Sequence, residues 1–184
     1  TPIPDQNIQE GESLVIDLSA TDVDGDVNFS FIASSQDDNV ILSISADNSL
    51  ILTTSDNYSG NTVVSISASD GSLSSEPIQF VFTVENINDT PVLDSISNPS
   101  QVDEDGDNIS ISILPTDADG DNLVVTALSN NPSLISDLSN DDILQVDGLY
   151  TLEFDPIDNA NGTSIITLNV FDGIETVSQQ FEIA

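Results

Sequence analysis

The sequence predicts an all-β protein made of two tandem sandwiches, and three observations support this. Short apolar segments alternate with period two, turn residues (Asp, Asn, Gly and Ser) separate them, and the whole pattern occurs twice. No segment shows a convincing helical period. About seven strands in each stretch of roughly 90 residues is the count typical of a β-sandwich. We therefore expect two seven-stranded Greek-key sandwiches in a chain of 184 residues.

The predicted strands alternate along most of their length, so one face of each should point into a sandwich. In the first module they cover 14–18, 64–68 and 78–84, and in the second 109–113, 166–170 and 181–183. Inward-facing residues of the two sheets form the core of such a fold. For the first module we expect that core to contain Leu14, Ile16, Leu18, Ile66, Phe80 and Phe82.

An internal repeat defines the domain organisation. An Asp-x-Asp-Gly-Asp motif stands at 22–26 and again at 117–121, and Asp-Gly recurs at 70–71 and 172–173. The second copy is longer in its middle, around 130–147. We predict module 1 at 1–85, a linker at 86–91 and module 2 at 92–184, with a strand at 92–96. Because Thr-Pro at 1–2 echoes Thr-Pro at 90–91, we expect the array to continue beyond this sequence.

The charge composition excludes many functions. The chain has 33 carboxylates, no Lys, Arg, His or Cys, and a formal net charge of −33. Nucleic acids and anionic membranes require basic residues and are excluded as partners. Ser-His-Asp and Cys-His catalysis, Schiff bases and zinc sites of Cys and His are excluded too. No apolar run of 18 residues is present, so no direct membrane insertion is expected. We expect no enzymatic activity.

The repeated acidic motif predicts a cation site. In Asp-x-Asp-Gly-Asp, alternate carboxylates can turn towards one point while Gly permits the sharp bend. No side chain of this chain can neutralise them, so a hard divalent cation with oxygen ligands is the expected countercharge. The spacing is not that of an EF-hand loop. The competing interpretation is an ordinary solvated Asp-Gly turn.

The linker is the second feature rich in oxygen donors. Residues 84–92 contain Asn, Asp and Glu side chains and end in Pro91 and Val92, instead of the Gly and Ser of a flexible linker. So short a linker should bring the acids of the two module ends into a small volume.

These motifs resemble those of known repeats. Asn-x-Asn-Asp-x-Pro at 86–91 resembles the cadherin linker, and Ala-Thr-Asp-Val-Asp at 20–24 resembles its Ala-x-Asp-x-Asp loop. Together with Ser-Ala-Ser-Asp-Gly at 67–71, the chain is most similar to bacterial cadherin-like (dystroglycan-type cadherin) repeats over essentially all of its length. The resemblance implies cadherin/Ig-like sandwiches, Ca²⁺ as the bound ion, and a large secreted or surface-attached bacterial protein.

The resemblance also implies a calcium site at the junction of the two modules. Where the family has an Asp-Arg-Glu trio, Asn57 and Tyr58 follow Asp56, so one carboxylate is missing and two ions, or one, are expected instead of three. The implied junction ligands are Glu10, Asp56, Asn86, Asn88, Asp89, Asp117, Asp119 and Asp172, with the carbonyls of Ile87 and Thr90. The implied half-sites, expected to bind calcium weakly or not at all alone, are Asp22, Asp24, Asp70, Glu104 and Asp158.

The expected function is that of a calcium-rigidified extracellular segment, a structural extender or adhesive part of a bacterial surface adhesin or fibre. Its expected partners are neighbouring modules of the same array. The alternative is a calcium-dependent polysaccharide-binding module, for which Tyr58 and Tyr150 are the available tyrosines and Trp is absent. A glycosidase that uses two of the carboxylates is a minor alternative. Self-association through an edge strand is a further alternative, for which the sequence offers no discriminating feature.

Overall fold

A computed structural model describes residues 2–23, 25, 28–101, 103 and 108–184. The chain forms two compact units, Thr1–Ile87 (unit 1) and Asn88–Ala184 (unit 2). Their boundary falls inside the linker that the sequence predicts. Each unit has its own cluster of buried side chains.

Unit 1 contains the seven strands that the sequence predicts, in two sheets. One sheet has the order β1-β7-β6-β3 and the other β2-β5-β4. All pairings are antiparallel except that of β1 with β7, which is parallel. The strands are β1 Gln6–Gln9, β2 Leu14–Asp17, β3 Ser30–Ser35, β4 Val40–Ile44, β5 Ser49–Thr54, β6 Gly60–Ser69 and β7 Ile78–Glu85.

The core of unit 1 lies between these sheets, as the alternation predicts. Ile66 and Phe80 are buried and Phe82 is fully buried, while Leu50 and Leu52 of β5 contribute from the opposite sheet. The other predicted core residues, Leu14, Ile16 and Leu18, are only partly buried and pack against the edge of this cluster.

Unit 2 contains six strands among its described residues. The sheets are β10-β11-β8 and β13-β12-β9, all antiparallel. The counterpart of β1, which the repeat puts near Val102, lies outside the described residues. The elements are β8 Ile109–Ile113, β9 Val124–Ser129, a 3-10 helix Asn140–Asp142, β10 Leu144–Val146, β11 Leu149–Phe154, β12 Ser164–Phe171 and β13 Thr176–Ile183.

The core of unit 2 is a second apolar cluster. Leu152, Ile166 and Leu168 are fully buried, and the rings of Phe154 and Phe181 meet edge to face with centroids 5.9 Å apart. This observation confirms the prediction of an all-β protein with two sandwiches.

The strand predicted at 92–96 is wrong. Only Val92 pairs, in a single antiparallel bridge with Thr116. Both hydrogen bonds of this bridge form, from Val92 N to Thr116 O (2.7 Å) and from Thr116 N to Val92 O (3.1 Å). Pro91 and Pro115 flank the two partners, and proline has no amide hydrogen to extend a ladder. The bridge nevertheless fixes the linker beside the loop that follows β8.

The repeat in sequence is also a repeat in conformation. Asn57 and Asn159 adopt left-handed backbone conformations with φ of 55° and 57°, and Gly71 and Gly173 have φ of 97° and 109°. Asparagine and glycine tolerate this region better than other residues. The longer middle of unit 2 contains the 3-10 helix and β10, and ends in the Asp147–Gly148 turn into β11.

Candidate metal centre

The Asp-x-Asp-Gly-Asp loop of unit 2 joins β8 to β9 and folds around one carboxylate. Asp117 Oδ1 accepts hydrogen bonds from the amides of Asp119 (3.0 Å) and Asp121 (3.2 Å). Gly120, with φ of 73°, closes the turn by donating its amide hydrogen to the carbonyl of Asp117. As a result, one carboxylate oxygen each from Asp117, Asp119 and Asp121 lies within 4.8 Å of the others.

Three linker residues bond to this loop and to the turn between β12 and β13. The amide of Asp89 donates to Asp119 Oδ2 at 2.7 Å. The side chain of Asn88 donates from Nδ2 to Asp172 Oδ2 at 3.0 Å, and Thr90 donates its hydroxyl to the Glu175 carboxylate. The structure therefore brings together Asn88, Asp89, Asp117, Asp119 and Asp172, all predicted as junction ligands.

Asp172 is the most buried carboxylate of this group, with 7% of its surface exposed. Its Oδ1 accepts from the amides of Ile174 and Glu175, both at 2.6 Å. Burial is the largest influence on the pKa of Asp172 and raises it, but the bonds from Asn88, Glu175 and Ile174 together outweigh it, so the pKa is lowered. Asp172 is therefore a charged group that holds the turn after β12.

Two carboxylate oxygens in this region have no protein partner. Asp89 Oδ2 and Asp117 Oδ2 are both buried, and no described donor reaches either of them. Buried oxygens of ionised carboxylates are costly when nothing compensates them. With no Lys, Arg or His in the sequence, the chain itself has no cationic side chain to supply.

The donor set fits a hard divalent cation. Ca²⁺ takes six to eight oxygen ligands at about 2.3–2.6 Å, so oxygens on opposite sides of the ion lie up to about 5 Å apart. The mutual spacing of the Asp117, Asp119 and Asp121 oxygens is compatible with that limit. Asp117, Asp119 and Asp121 are the residues whose oxygens converge. Asp89, which has an unpartnered carboxylate oxygen, bonds Asp119 through its amide, and Asn88 precedes it in the linker.

Asp121 is affected both by loss of hydration and by the other negative charges of the group. Its carboxyl is exposed overall, yet partial loss of hydration, followed by the negative charges of Asp117, Asp119 and Asp172, raises its pKa. A bound cation would act in the opposite direction, because it favours the ionised form.

The predicted ligands of unit 1 lie next to the ends of its strands. Glu10 follows β1, its amide donates to the carbonyl of Glu85 (2.9 Å), and its Oε2 accepts from the amide of Ile87 (3.4 Å). Asp56 is exposed in the turn before β6, and Asn86 is exposed directly after β7. Among the described residues of unit 1, no three carboxylates converge with one another. Their assignment as ligands stays a prediction.

The half-site residues have mixed outcomes. Asp70 Oδ1 accepts from the amides of Ser72 (2.7 Å) and Leu73 (2.8 Å), and bonds from the Leu73 and Ser72 amides lower its pKa. Asp70 thus forms the same turn in unit 1 as Asp172 does in unit 2. Asp22 is half-buried after β2, and Asp158 is exposed. Asp24 and Glu104 lie outside the described residues.

Two acidic residues of this region are not among the ligands predicted from the sequence. Asp121 is the last acid of the Asp-x-Asp-Gly-Asp motif, so the spacing could have identified it. Glu175, which accepts the hydroxyl of Thr90, carried no signal in the sequence because this contact joins residues far apart in the chain.

Comparison with known proteins gives one family match, in the first part of the chain. Residues 1–83 match the family model of a bacterial Ig domain, which supports an Ig-like repeat without specifying the cadherin-like type. No curated protein matches the sequence. The part of the chain that the structure describes has no helix long and apolar enough to cross a membrane.

Several solved structures match this chain at low identity, with TM-scores below 0.5. An endo-fucoidan hydrolase from glycoside hydrolase family 107 has 20% identity and a TM-score of 0.42, covering 99% of this chain and 27% of its own. A chimeric titin Z1Z2-Z1Z2 tandem has 12% identity and a TM-score of 0.40, covering 100% and 95%. A SusE-like surface located polysaccharide binding protein from Bacteroides thetaiotaomicron has 14% identity and a TM-score of 0.36, covering 98% and 32%. The chain thus spans about a quarter of the hydrolase. Similarity at this level says nothing about function.

Proposed function

We propose that this chain is a calcium-binding, Ig-like repeat segment of an extracellular bacterial surface protein, with a structural or adhesive role and no enzymatic activity. The proposed calcium ligands in unit 2 are side-chain oxygens of Asn88, Asp89, Asp117, Asp119 and Asp121. The cadherin-like type of the repeat, the surface location and the neighbouring modules as partners are parts of the same proposal.

The observation that carries the proposal is the pair of buried, unpartnered oxygens, Asp89 Oδ2 and Asp117 Oδ2. A solvated turn would leave such oxygens in water, where they need no partner. Here both oxygens are buried, and the composition supplies no cation. Calcium bound beside these oxygens would compensate them.

The expected affinity suits a calcium-rich environment. Extracellular modules bind Ca²⁺ with a Kd on the order of 10⁻⁴–10⁻³ M. At about 10 mM calcium such a site would stabilise the folded unit by about 1.4–2.7 kcal/mol. The ion would also offset the self-repulsion of a chain that carries a net charge of −33.

The test is a comparison of the wild type with Asp117→Asn, using Glu182→Gln as a matched control. Glu182 is exposed on β13, so its replacement removes one charge without touching the loop. Calorimetry should show calcium binding to the wild type and the control, and a loss of at least tenfold in Asp117→Asn. Equal affinity in all three proteins would refute the site.

The stiffening of the array by calcium, which the sequence predicts, belongs to this proposal as a consequence. X-ray scattering of the chain in calcium and in chelator measures it. An unchanged maximum dimension in the two conditions would leave calcium binding in place but remove the mechanical role.

Of the two tyrosines available for the polysaccharide alternative, Tyr150 is unsuited to stacking. Tyr150 has only 4% of its surface exposed and donates its hydroxyl to the carbonyl of Leu123 at 2.9 Å. Tyr58 is half-buried and donates to Asp37 Oδ2 at 2.9 Å. Stacking of a sugar ring needs an exposed aromatic face, which Tyr150 does not offer.

A further inference from the structure

A cleft of about 450 Å³ lies beside the candidate metal centre within unit 2. The loop between β8 and β9 forms one wall, with Asp117, Asp121 and Asn122. The 3-10 helix and the hairpin of β10 and β11 form the other, with Asn140 and Gln145, and Tyr150 also lines it. Its volume is within the range of about 300–1,000 Å³ usual for small-molecule sites.

The cleft presents hydrogen-bonding groups that the protein does not use. Within the described ranges, the side-chain amides of Asn122 and Gln145 make no hydrogen bond to the protein. Asn140 accepts the amide of Val125 through Oδ1 at 3.0 Å, which leaves its Nδ2 available. Three amide NH₂ donors therefore line the same cavity as the exposed carboxylate of Asp121.

Charge restricts the ligand that can enter. Asp117 and Asp121 repel anions, and the chain has no basic residue to hold one. A purely apolar ligand would desolvate these amides without replacing their hydrogen bonds, which is unfavourable. A polyhydroxylated ligand fits, because each hydroxyl both donates and accepts and so pairs with amides and carboxylates alike.

We propose that this cleft binds a neutral saccharide of one or two rings through the side chains of Asn122, Asn140, Gln145 and Asp121. The inference rests on the proposed function in one respect: a cation at Asp117, Asp119 and Asp121 would offset the charge at one edge of the cleft. Recognition in this cleft would use polar groups, whereas the polysaccharide alternative drawn from the sequence relied on tyrosine rings.

The binding test uses saturation-transfer NMR of the whole chain with mannobiose, maltose and laminaribiose, in calcium and in chelator. We expect at least one neutral disaccharide to bind in calcium. Asn122→Ala and Gln145→Ala should each weaken that binding at least fivefold. Gln36→Ala, at an exposed position in unit 1, should leave it unchanged.

The outcomes separate this inference from the proposed function. Calorimetry of the same variants should show unchanged calcium affinity, since neither amide is a proposed ligand. Calcium binding without any saccharide signal would overturn the cleft alone. Saccharide binding that persists in chelator, or in a protein that binds no calcium, would support the cleft while removing its link to the metal. Spermidine, a polycation, is tested in the same way. An NMR signal from spermidine with none from the sugars would overturn the assignment of the cleft to saccharides.

Discussion

Asn88 in the linker donates a hydrogen bond from Nδ2 to Oδ2 of Asp172, 3.0 Å away, in the turn between β12 and β13. The same nitrogen also lies 3.3 Å from the carbonyl oxygen of Asp89. Because an amide nitrogen only donates, these contacts leave Asn88 Oδ1 as the oxygen that can face a cation. Asp172 is thus placed to orient a ligand, in addition to the ligand role that the resemblance implies.

Replacement of Asp172 by Asn should weaken calcium binding by about 10–100-fold, the usual cost of losing a partner that orients a ligand. The substituted amide keeps an oxygen for the Ile174 and Glu175 amides but would set one NH₂ group against that of Asn88. Terbium luminescence sensitised by Tyr150, in a Tyr58→Phe background, measures the affinity at this site.

Asp70→Asn is the matched control for this prediction. Asp70 forms the same turn in unit 1, where it bonds the amides of Ser72 and Leu73, so the affinity of the unit 2 site should not change. A loss of affinity equal to that of Asp172→Asn would show that the removal of one negative charge, and not the loss of the bond to Asn88, lowers the affinity.

Asp117→Asn should make unit 2 more stable in chelator, although it weakens calcium binding. The substitution removes one negative charge from a cluster in which Asp121 already has a raised pKa, and Asn retains an oxygen for the Asp119 and Asp121 amides. Thermal unfolding in chelator should shift upward by roughly 2–4 °C, equivalent to less than about 1 kcal/mol. A downward shift would mean that the Asp117 carboxylate is compensated without metal.

The Asp37–Tyr58 hydrogen bond should make the stability of unit 1 depend on pH at both extremes. Bonds from the Asn39 amide and then from the Tyr58 hydroxyl lower the pKa of Asp37. A lowered pKa gives stability that is present above the unfolded value of about 3.9 and is lost as pH falls through the folded value. Burial, and then Asp37, raise the pKa of Tyr58. That second contribution is present below about pH 10 and is lost as pH rises through the folded value.

Tyr58→Phe should therefore flatten the stability profile below about pH 4 and above about pH 10. Denaturant unfolding of both proteins across this range measures the effect. Tyr150→Phe is the control on the acid side, since Tyr150 bonds a carbonyl and no carboxylate. An acid limb identical in Tyr58→Phe and the wild type would contradict the prediction.

Leu52→Ala and Leu152→Ala should each destabilise their own unit. Both side chains are fully buried, one in each apolar cluster, and truncation of a buried Leu costs about 2–5 kcal/mol. Hydrogen exchange resolved by peptide should show lost protection in unit 1 for the first variant and in unit 2 for the second. Leu144→Ala, at a side chain that is 65% exposed, should change the free energy of unfolding by less than about 0.5 kcal/mol.

Much of the fold was predictable because its signals are local. Alternation along β6, β7, β8 and β12 fixed their type, and Asp-Asn and Asp-Gly pairs marked the turns where Asn57, Asn159, Gly71 and Gly173 have positive φ. The strand at 92–96 was wrong although both prolines that limit it are visible in the sequence. Its partner, Thr116, follows β8 and could be known only from the pairing.

The sequence by itself determined that this protein has two β-sandwiches, that its acids occur in repeated loops, and that no cationic side chain balances them, since these properties depend only on residue type and spacing. Only the tertiary structure decided which acids meet. Long-range packing places Asp89 on Asp119 and Asn88 on Asp172, buries Tyr150 and leaves two carboxylate oxygens without partners. Those outcomes depend on contacts between residues distant in the chain, and no local pattern encodes them.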